Sequence, residues 1–261
     1  MGSNSSYIDN ALFAELSESQ KKLVLSNSVY FGPNYPLRRV IEEKGLVKTY
    51  KLELNPVQGH SDWIKMYSIA SSSRLCLLYF LNKEGIEFEH TLTIAKGERV
   101  NVEAHYDAFD SLSNTYIECK CHEIAEPSHG DYLKEWAYRS ILEDKLGLNN
   151  ILVKNGCLFP TLDQFGVDIY PGNSIYQMHF DFKQLVTHVC GMIVQNKKGT
   201  IRYVFFTPTN CHVDKNVETI YKELKLEIEA IKKSKFLADL TKLGIKLEFT
   251  RVSFSEVKDL I

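Results

Sequence analysis

The run Tyr116-Ile117-Glu118-Cys119-Lys120-Cys121-His122-Glu123 alternates apolar or small residues with charged or polar ones. That period of two is the signature of a half-buried strand. Tyr116, Glu118, Lys120 and His122 then fall on one face, and Ile117, Cys119 and Cys121 on the core face. Just before it lies Arg99 to Asp110, and the two runs are joined by Ser111-Leu112-Ser113-Asn114, a loop rich in turn formers. A hairpin symmetric about that loop pairs Asp110 with Thr115, Asp107 with Glu118, His105 with Lys120 and Glu103 with His122. Opposed residues share a sheet face with Cβ atoms roughly 4.5–5.5 Å apart. One face is therefore expected to carry Glu103, His105, Asp107, Glu118, Lys120 and His122. Two carboxylates that close repel unless one holds a proton or a cation lies between them. Mg²⁺, a hard ion that takes oxygen ligands and keeps several waters, relieves the repulsion at least cost.

Asp107 followed across a hairpin by Glu118-Cys119-Lys120 resembles the PD-(D/E)xK nuclease superfamily, with its restriction-endonuclease-like fold. The resemblance spans residues 61–207, where a helix, strands and a second helix can be placed around the motif. One departure is plain: His105-Tyr106 stands where the family has proline before the first acid. Glu-x-Lys also occurs at Glu42-Lys44, Glu143-Lys145, Glu223-Lys225 and Glu256-Lys258, and Asp181-Phe182-Lys183 is the aspartate version. Only the copy at Glu118 lies in a strand-like run opposite an acid. The resemblance implies an α/β fold, a mixed central sheet flanked by helices, with N- and C-terminal additions. It implies Asp107 and Glu118 as ligands of Mg²⁺ or Mn²⁺, and Lys120 as the group that orients the attacking water. Gln184 and His188, four apart on the next helix, are expected to face the site. Double-stranded DNA is the expected substrate. Asp110 faces away by parity, Glu123 is a candidate for an outer shell, and His105 could contact phosphate or be structural.

Composition narrows the alternatives. With 44% hydrophobic and 11% aromatic residues, the 261-residue chain can fill a core. A net charge of −2 argues against a protein that coats nucleic acid non-specifically, but not against a nuclease with local basic contacts. No run of about 18 apolar residues is present, so no membrane span is expected. Met1 to Ser6 fits a myristoylation pattern and equally a polar tail, which is the expectation here. Six cysteines without scaffold-like density read as reduced thiols of a cytoplasmic protein.

Along the chain, residues 1–60 form an appendage with a helix from Asn10 to Leu25 and a strand from Leu46 to Leu54. The core takes 61–210. It opens on a helix capped by Ser61 and running through the apolar stretch Leu75 to Leu81, followed by a strand on Ile86, Phe88, His90, Leu92 and Ile94. An insertion at 124–180 holds a helix from Tyr132 to Leu146 stopped by Gly147, then an irregular stretch. Phe182 to Val194 carries a strong helical stripe, and Ile201 to Thr207 reads as a central strand. Residues 211–261 supply a helix from Lys215 to Leu243 and an edge strand from Lys246 to Phe254. The stripe Val217, Tyr221, Leu224, Ile228 and Ile231 can cover the protein's own core or a second copy in a homodimer; the core is expected.

Two other readings stay open. Cys119, Cys121, Cys157 and Cys211 could hold a structural zinc, although paired Cys-x₂₋₄-Cys knuckles are missing. A catalytically inactive, nucleic-acid-binding member of the same fold is also compatible, because fold does not imply function.

Overall fold

The two alternating runs form the middle of a five-stranded mixed sheet. The computed structural model describes residues 4–26, 28–57, 60–98, 100–125, 132–210 and 214–257. Strands β1 (Ile86–Ala95), β2 (Val102–Asp110) and β3 (Thr115–Lys120) make an antiparallel meander. β4 (Gly199–Thr207) runs parallel to β3, and β5 (Ile245–Ser253) parallel to β4 at the edge, giving the order β5-β4-β3-β2-β1. The excursion from β3 to β4 contains helix α3 (Phe182–Val194), as a parallel pair requires of its crossover. Helix α2 (Ser72–Phe80) precedes β1, so the central order is helix, three strands, helix, strand.

Adjacent residues of β3 touch different helices. Glu118 bonds Gln184 of α3, whereas the Cys119 side chain lies beside that of Cys76 in α2. The two helices therefore cover opposite faces of the sheet, and β3 between them is buried on both sides. Leu75, Cys76, Leu77 and Leu78 of α2 are all buried, as a helix apolar nearly all round requires. On the other face Gly191 lets α3 approach closely. A Cβ built there would lie 2.8 Å from Ala104 Cβ and 3.2 Å from Leu92 Cβ.

Several expected elements differ. α1 (Asn4–Glu15) begins where a polar tail was expected, and buries Ile8 and Leu12 in the common core. The expected strand at 46–54 is a run of turns. The amide of Tyr50 bonds the Leu46 carbonyl and that of Leu54 the Tyr50 carbonyl, a helical pattern that competes successfully with the apparent alternation. His60–Ile64 is a short strand rather than the start of a helix; α2 starts ten residues later, where Ser71 accepts the Arg74 amide at 3.2 Å. The helix expected over 132–146 is shortened to Glu135–Ser140 plus a wide turn at Ile141–Lys145, and Leu133–Lys134 pairs instead with Cys157–Phe159 in a small three-stranded sheet.

The long C-terminal helix is two, α4 (Lys215–Lys233) and α5 (Lys235–Lys242). Ser234 breaks it by accepting the Leu237 amide as an N-cap. Val217, Leu224 and Ile231 of its stripe are buried within the chain, so the protein's own core covers it. Among the described residues, no helix is long and apolar enough to cross a membrane.

Candidate active site

Ladder pairs Asp110 with Thr115, Phe109 with Tyr116 and Ala108 with Ile117 carry the register expected from the four-residue loop. The expected face does not follow from it. Tyr106 and Phe109, three apart, both place their rings on Tyr116, with centroids 5.0 and 4.7 Å away. Strict alternation would put them on opposite faces. The break lies between them, at Asp107, and is matched on β1 by Glu89, whose φ of 57° is left-handed. Neighbours 88–108 and 90–106 pair normally, and 89–107 is skipped. The result is that Ala104 and Tyr106 face α3 together with Glu118, which corrects the expectation that Glu103, His105 and Asp107 share Glu118's face. Asp107 instead turns its carboxylate into the strand gap, where Oδ2 accepts the Cys119 amide at 2.7 Å.

Glu118 is buried on the α3 face. Its Oε1 accepts from Lys120 Nζ at 2.8 Å and from Gln184 Nε2 at 2.7 Å. Asp181 caps α3 by accepting the Gln184 amide at 2.8 Å, which fixes the helix start that aims Gln184. Burial pushes the Glu118 carboxyl up, while Lys120 and Gln184 pull it back. Burial also pushes Asp107 well above the usual carboxylate range, and the nearby Glu118 charge adds to the rise. Lys120 goes the other way from a desolvated lysine. Burial alone would lower it, but Glu118, Glu123 and Asp181 together hold its ammonium charged.

Glu123 is part-buried beside that ammonium. Its oxygens accept from the Ser72 hydroxyl at 2.6 Å and the Cys121 amide at 2.7 Å. Burial works to raise it, yet Lys120, His122 and those hydrogen bonds bring it below its ordinary value.

His188 reaches the site as a strut. Its Nε2 donates to the His105 carbonyl at 2.7 Å, so its Nδ1 accepts the Tyr203 hydroxyl at 3.0 Å. Tyr106 stacks on the ring at 4.2 Å and donates to the His188 carbonyl. Burial holds the imidazole neutral, down to about 3. Both nitrogens are thus engaged by β2 and β4, so His188 holds these strands against α3. Nε2 also lies 3.7 Å from Glu118 Oε2.

Of the remaining candidates, His105 is exposed near Thr91 and Glu103 and lines the same cleft as Lys120, with no ladder pair joining the two. Asp110 caps the hairpin through the Leu112 and Ser113 amides and the Ser113 hydroxyl. His122 leaves the strand at the start of a 3₁₀ turn and lies 3.1 Å from the Ala70 carbonyl. Cys119 and Cys121 are buried at the end of β3, Cys157 lies on the small sheet, and Cys211 is outside the described residues. Among the described residues no group of three or more His, Cys, Asp or Glu side chains converges to hold a metal, which removes the support for a thiolate site built from Cys119, Cys121 and Cys157.

Asp181 is the residue that the sequence reading passed over, although Asp181-x-x-Gln184 before an apolar stripe is an N-cap signal. Lys120, Gln184 and His188 line one cleft of about 590 Å³, together with Tyr132, Lys134 and Lys183 and the acids Glu103 and Asp181. No protein-family model matches the chain, and no curated protein or solved structure matches it.

Proposed function

We propose that the protein is a metal-dependent nuclease of the PD-(D/E)xK type, hydrolysing phosphodiester bonds of DNA with Mg²⁺ or Mn²⁺. The observation that carries the reading is the Glu118–Lys120 pair, held by Gln184 and electrostatically coupled to a second carboxylate, Asp107, beside the cleft that Lys120 and Gln184 line. The order helix, three strands, helix, strand supports it as well.

The donor set fits a hard cation. Asp107 uses Oδ2 on the Cys119 amide and Glu118 uses Oε1 on Lys120 and Gln184, so each acid has a second oxygen to offer. The Glu118 charge adds to the rise of the Asp107 carboxyl, and a divalent ion would complement that electrostatically. Mg²⁺ is commonly held by one or two carboxylates plus substrate phosphate, so a larger protein cage is not needed. Asp107 and Glu118 would be its ligands, and bound there it would supply Lewis-acid stabilisation and a lowered pKa for a coordinated water.

The chain's own part is electrostatic. Lys120 stays protonated, so it acts as a hydrogen-bond donor and fixed positive charge rather than as a base. Its Nζ would orient the attacking water and offset the charge that develops on the phosphate oxygens. Gln184 holds Glu118 Oε1, which leaves Oε2 directed away from that bond. Glu123 and Asp181 keep the ammonium charged through the reaction.

The test is cleavage of a panel of DNA substrates in Mn²⁺ or Mg²⁺, read beside Mn²⁺ binding. Lys120→Ala should abolish cleavage and leave metal binding, and Glu118→Ala should lose both. Metal binding without cleavage of any substrate by the unmodified protein would sink the enzyme and favour an inactive nucleic-acid-binding member of the fold.

A further inference from the structure

The cleft beside Glu118 and Lys120 has a second set of groups that the hydrolytic residues do not use. Lys134, at the end of the short strand Leu133–Lys134, is exposed, and Lys183 is the second residue of α3. Both line the cleft. Some lysines, such as Lys21, Lys65, Lys222, Lys232 and Lys242, sit within 3 Å of a carboxylate, and others, such as Lys83 over the Tyr79 ring, do not. Among the described residues, Lys134 and Lys183 have no such partner. Glu103 and Asp181 line the same cleft and Lys120 is paired with Glu118, but neither Lys134 nor Lys183 is tied to a described carboxylate, so both ammonium groups are open to an entering anion.

Tyr132 supplies a surface of another kind. It is 49% exposed, and its ring is braced from within by Tyr176, edge-on at 4.8 Å, and by Phe159, also at 4.8 Å. A fixed aromatic with solvent on its outer side, flanked by cations, is the combination by which single-stranded nucleic acid is held: bases stack on the ring and phosphates track the charges. A duplex does not meet these demands. Its bases are stacked on each other and offer no face to Tyr132. The cleft volume also falls in the ~300–1,000 Å³ range of sites that enclose a small group rather than a helix lying across a surface.

We infer that this cleft takes an unpaired stretch of nucleic acid, with a base on Tyr132 and phosphates on Lys134 and Lys183. The substrate is then a frayed end, flap or single strand, narrower than the continuous duplex expected from the sequence. The inference rests on the nuclease reading only for the fate of the strand, and binding can be tested without turnover.

The test uses the full chain and fluorescence anisotropy without added Mg²⁺ or Mn²⁺, comparing a short labelled oligothymidylate with a blunt hairpin duplex. Tighter binding of the single strand, by tenfold or more, is expected. Tyr132→Ala should weaken it about 5- to 150-fold, and Tyr132→Phe, which keeps the ring, should restore it. The double variant Lys134→Ala/Lys183→Ala should flatten the slope of log K against log salt by about 1.4. Because Lys134 is exposed and Lys183 part-buried on a helix surface, the double variant should melt as the unmodified protein does. Equal affinity for duplex and single strand, or an unchanged salt slope, would overturn the inference. Single-strand binding through Tyr132 with no cleavage would uphold it while removing the nuclease reading. Duplex cleavage at full rate by Tyr132→Ala would do the reverse.

Discussion

Glu227 of α4 holds the segment that leads into the candidate site, and its removal should be costly by a calculable amount. The residue is 1% exposed, and its two oxygens accept the His179 amide at 3.1 Å and the Phe180 amide at 2.7 Å. His179 is held in addition by the Ile124 carbonyl and Glu223. Asp181 and Gln184 follow immediately, so the clamp sets where α3 begins. Glu227→Ala leaves two buried N–H groups without acceptors. At about 1–3 kcal/mol for each buried group left unpaired, the loss should be roughly 2–6 kcal/mol. Glu227→Gln keeps one acceptor oxygen and turns an NH₂ toward the other amide, so about half that loss is expected. Urea unfolding followed by far-UV circular dichroism measures both against the unmodified protein. A loss below about 0.5 kcal/mol for Glu227→Ala, the range of ordinary surface substitutions, would refute the clamp. So would a glutamine variant as weak as the alanine one, since the argument depends on counting acceptors.

Three further outcomes follow from the site. Asp107's folded-state pKa is raised, so this carboxyl holds its proton above the pH at which a free aspartate loses it, and its ionisation costs stability as pH rises through that value. A cation must displace that proton, so apparent Mn²⁺ affinity should rise with pH across the Asp107 titration and binding should release protons, read by calorimetry in buffers of different ionisation enthalpy; pH-independent binding would count against Asp107 as a ligand. Gly191→Ala forces a methyl against Ala104 and Leu92, which should cost about 1–3 kcal/mol in thermal or urea unfolding; an unchanged stability would show that α3 is not held this close. Tyr203→Phe removes the donor to His188 Nδ1 and should cost about 1–3 kcal/mol; a shift in the imidazole ¹⁵N resonances of His188 would report the lost bond, and unchanged resonances would deny it.

What could be read in the sequence was local. Ser111 to Asn114 set the loop length, and with it the register of β2 against β3. Phe182 to Val194 was bounded correctly by its apolar stripe, and the Asp181 cap that stripe reasoning overlooked agrees with its start. The facing of Asp107 was not legible, because it depends on a paired irregularity with Glu89 on another strand. A glutamate at positive φ gives none of the glycine or asparagine signal that marks such a break. Contacts distant in sequence were equally hidden. Ser72 with Glu123, and His179 with Glu223, are joined only once the sheet and its helices are packed. Cys119 and Cys121 looked like potential chelators by spacing, whereas burial beneath α2 and its surroundings makes them ordinary core thiols.

β3 is hydrogen-bonded on one side to the strand just before it and on the other to β4, which arrives only after the whole excursion through the small sheet and α3. During synthesis the hairpin β2–β3 can close while the ribosome is still making that excursion, leaving β3 with an open edge. Tyr116 finds Ile201 and Glu118 finds Tyr203 only after a long loop closes, and such non-local pairing is slow. Until then Glu118 and Lys120 sit on an unfinished edge, the kind of surface that recruits other chains. Lysine and glutamate there work as charged gatekeepers before they work as anything else, and exchanging both for apolar residues should raise aggregation of the nascent chain more than it lowers the stability of the finished one.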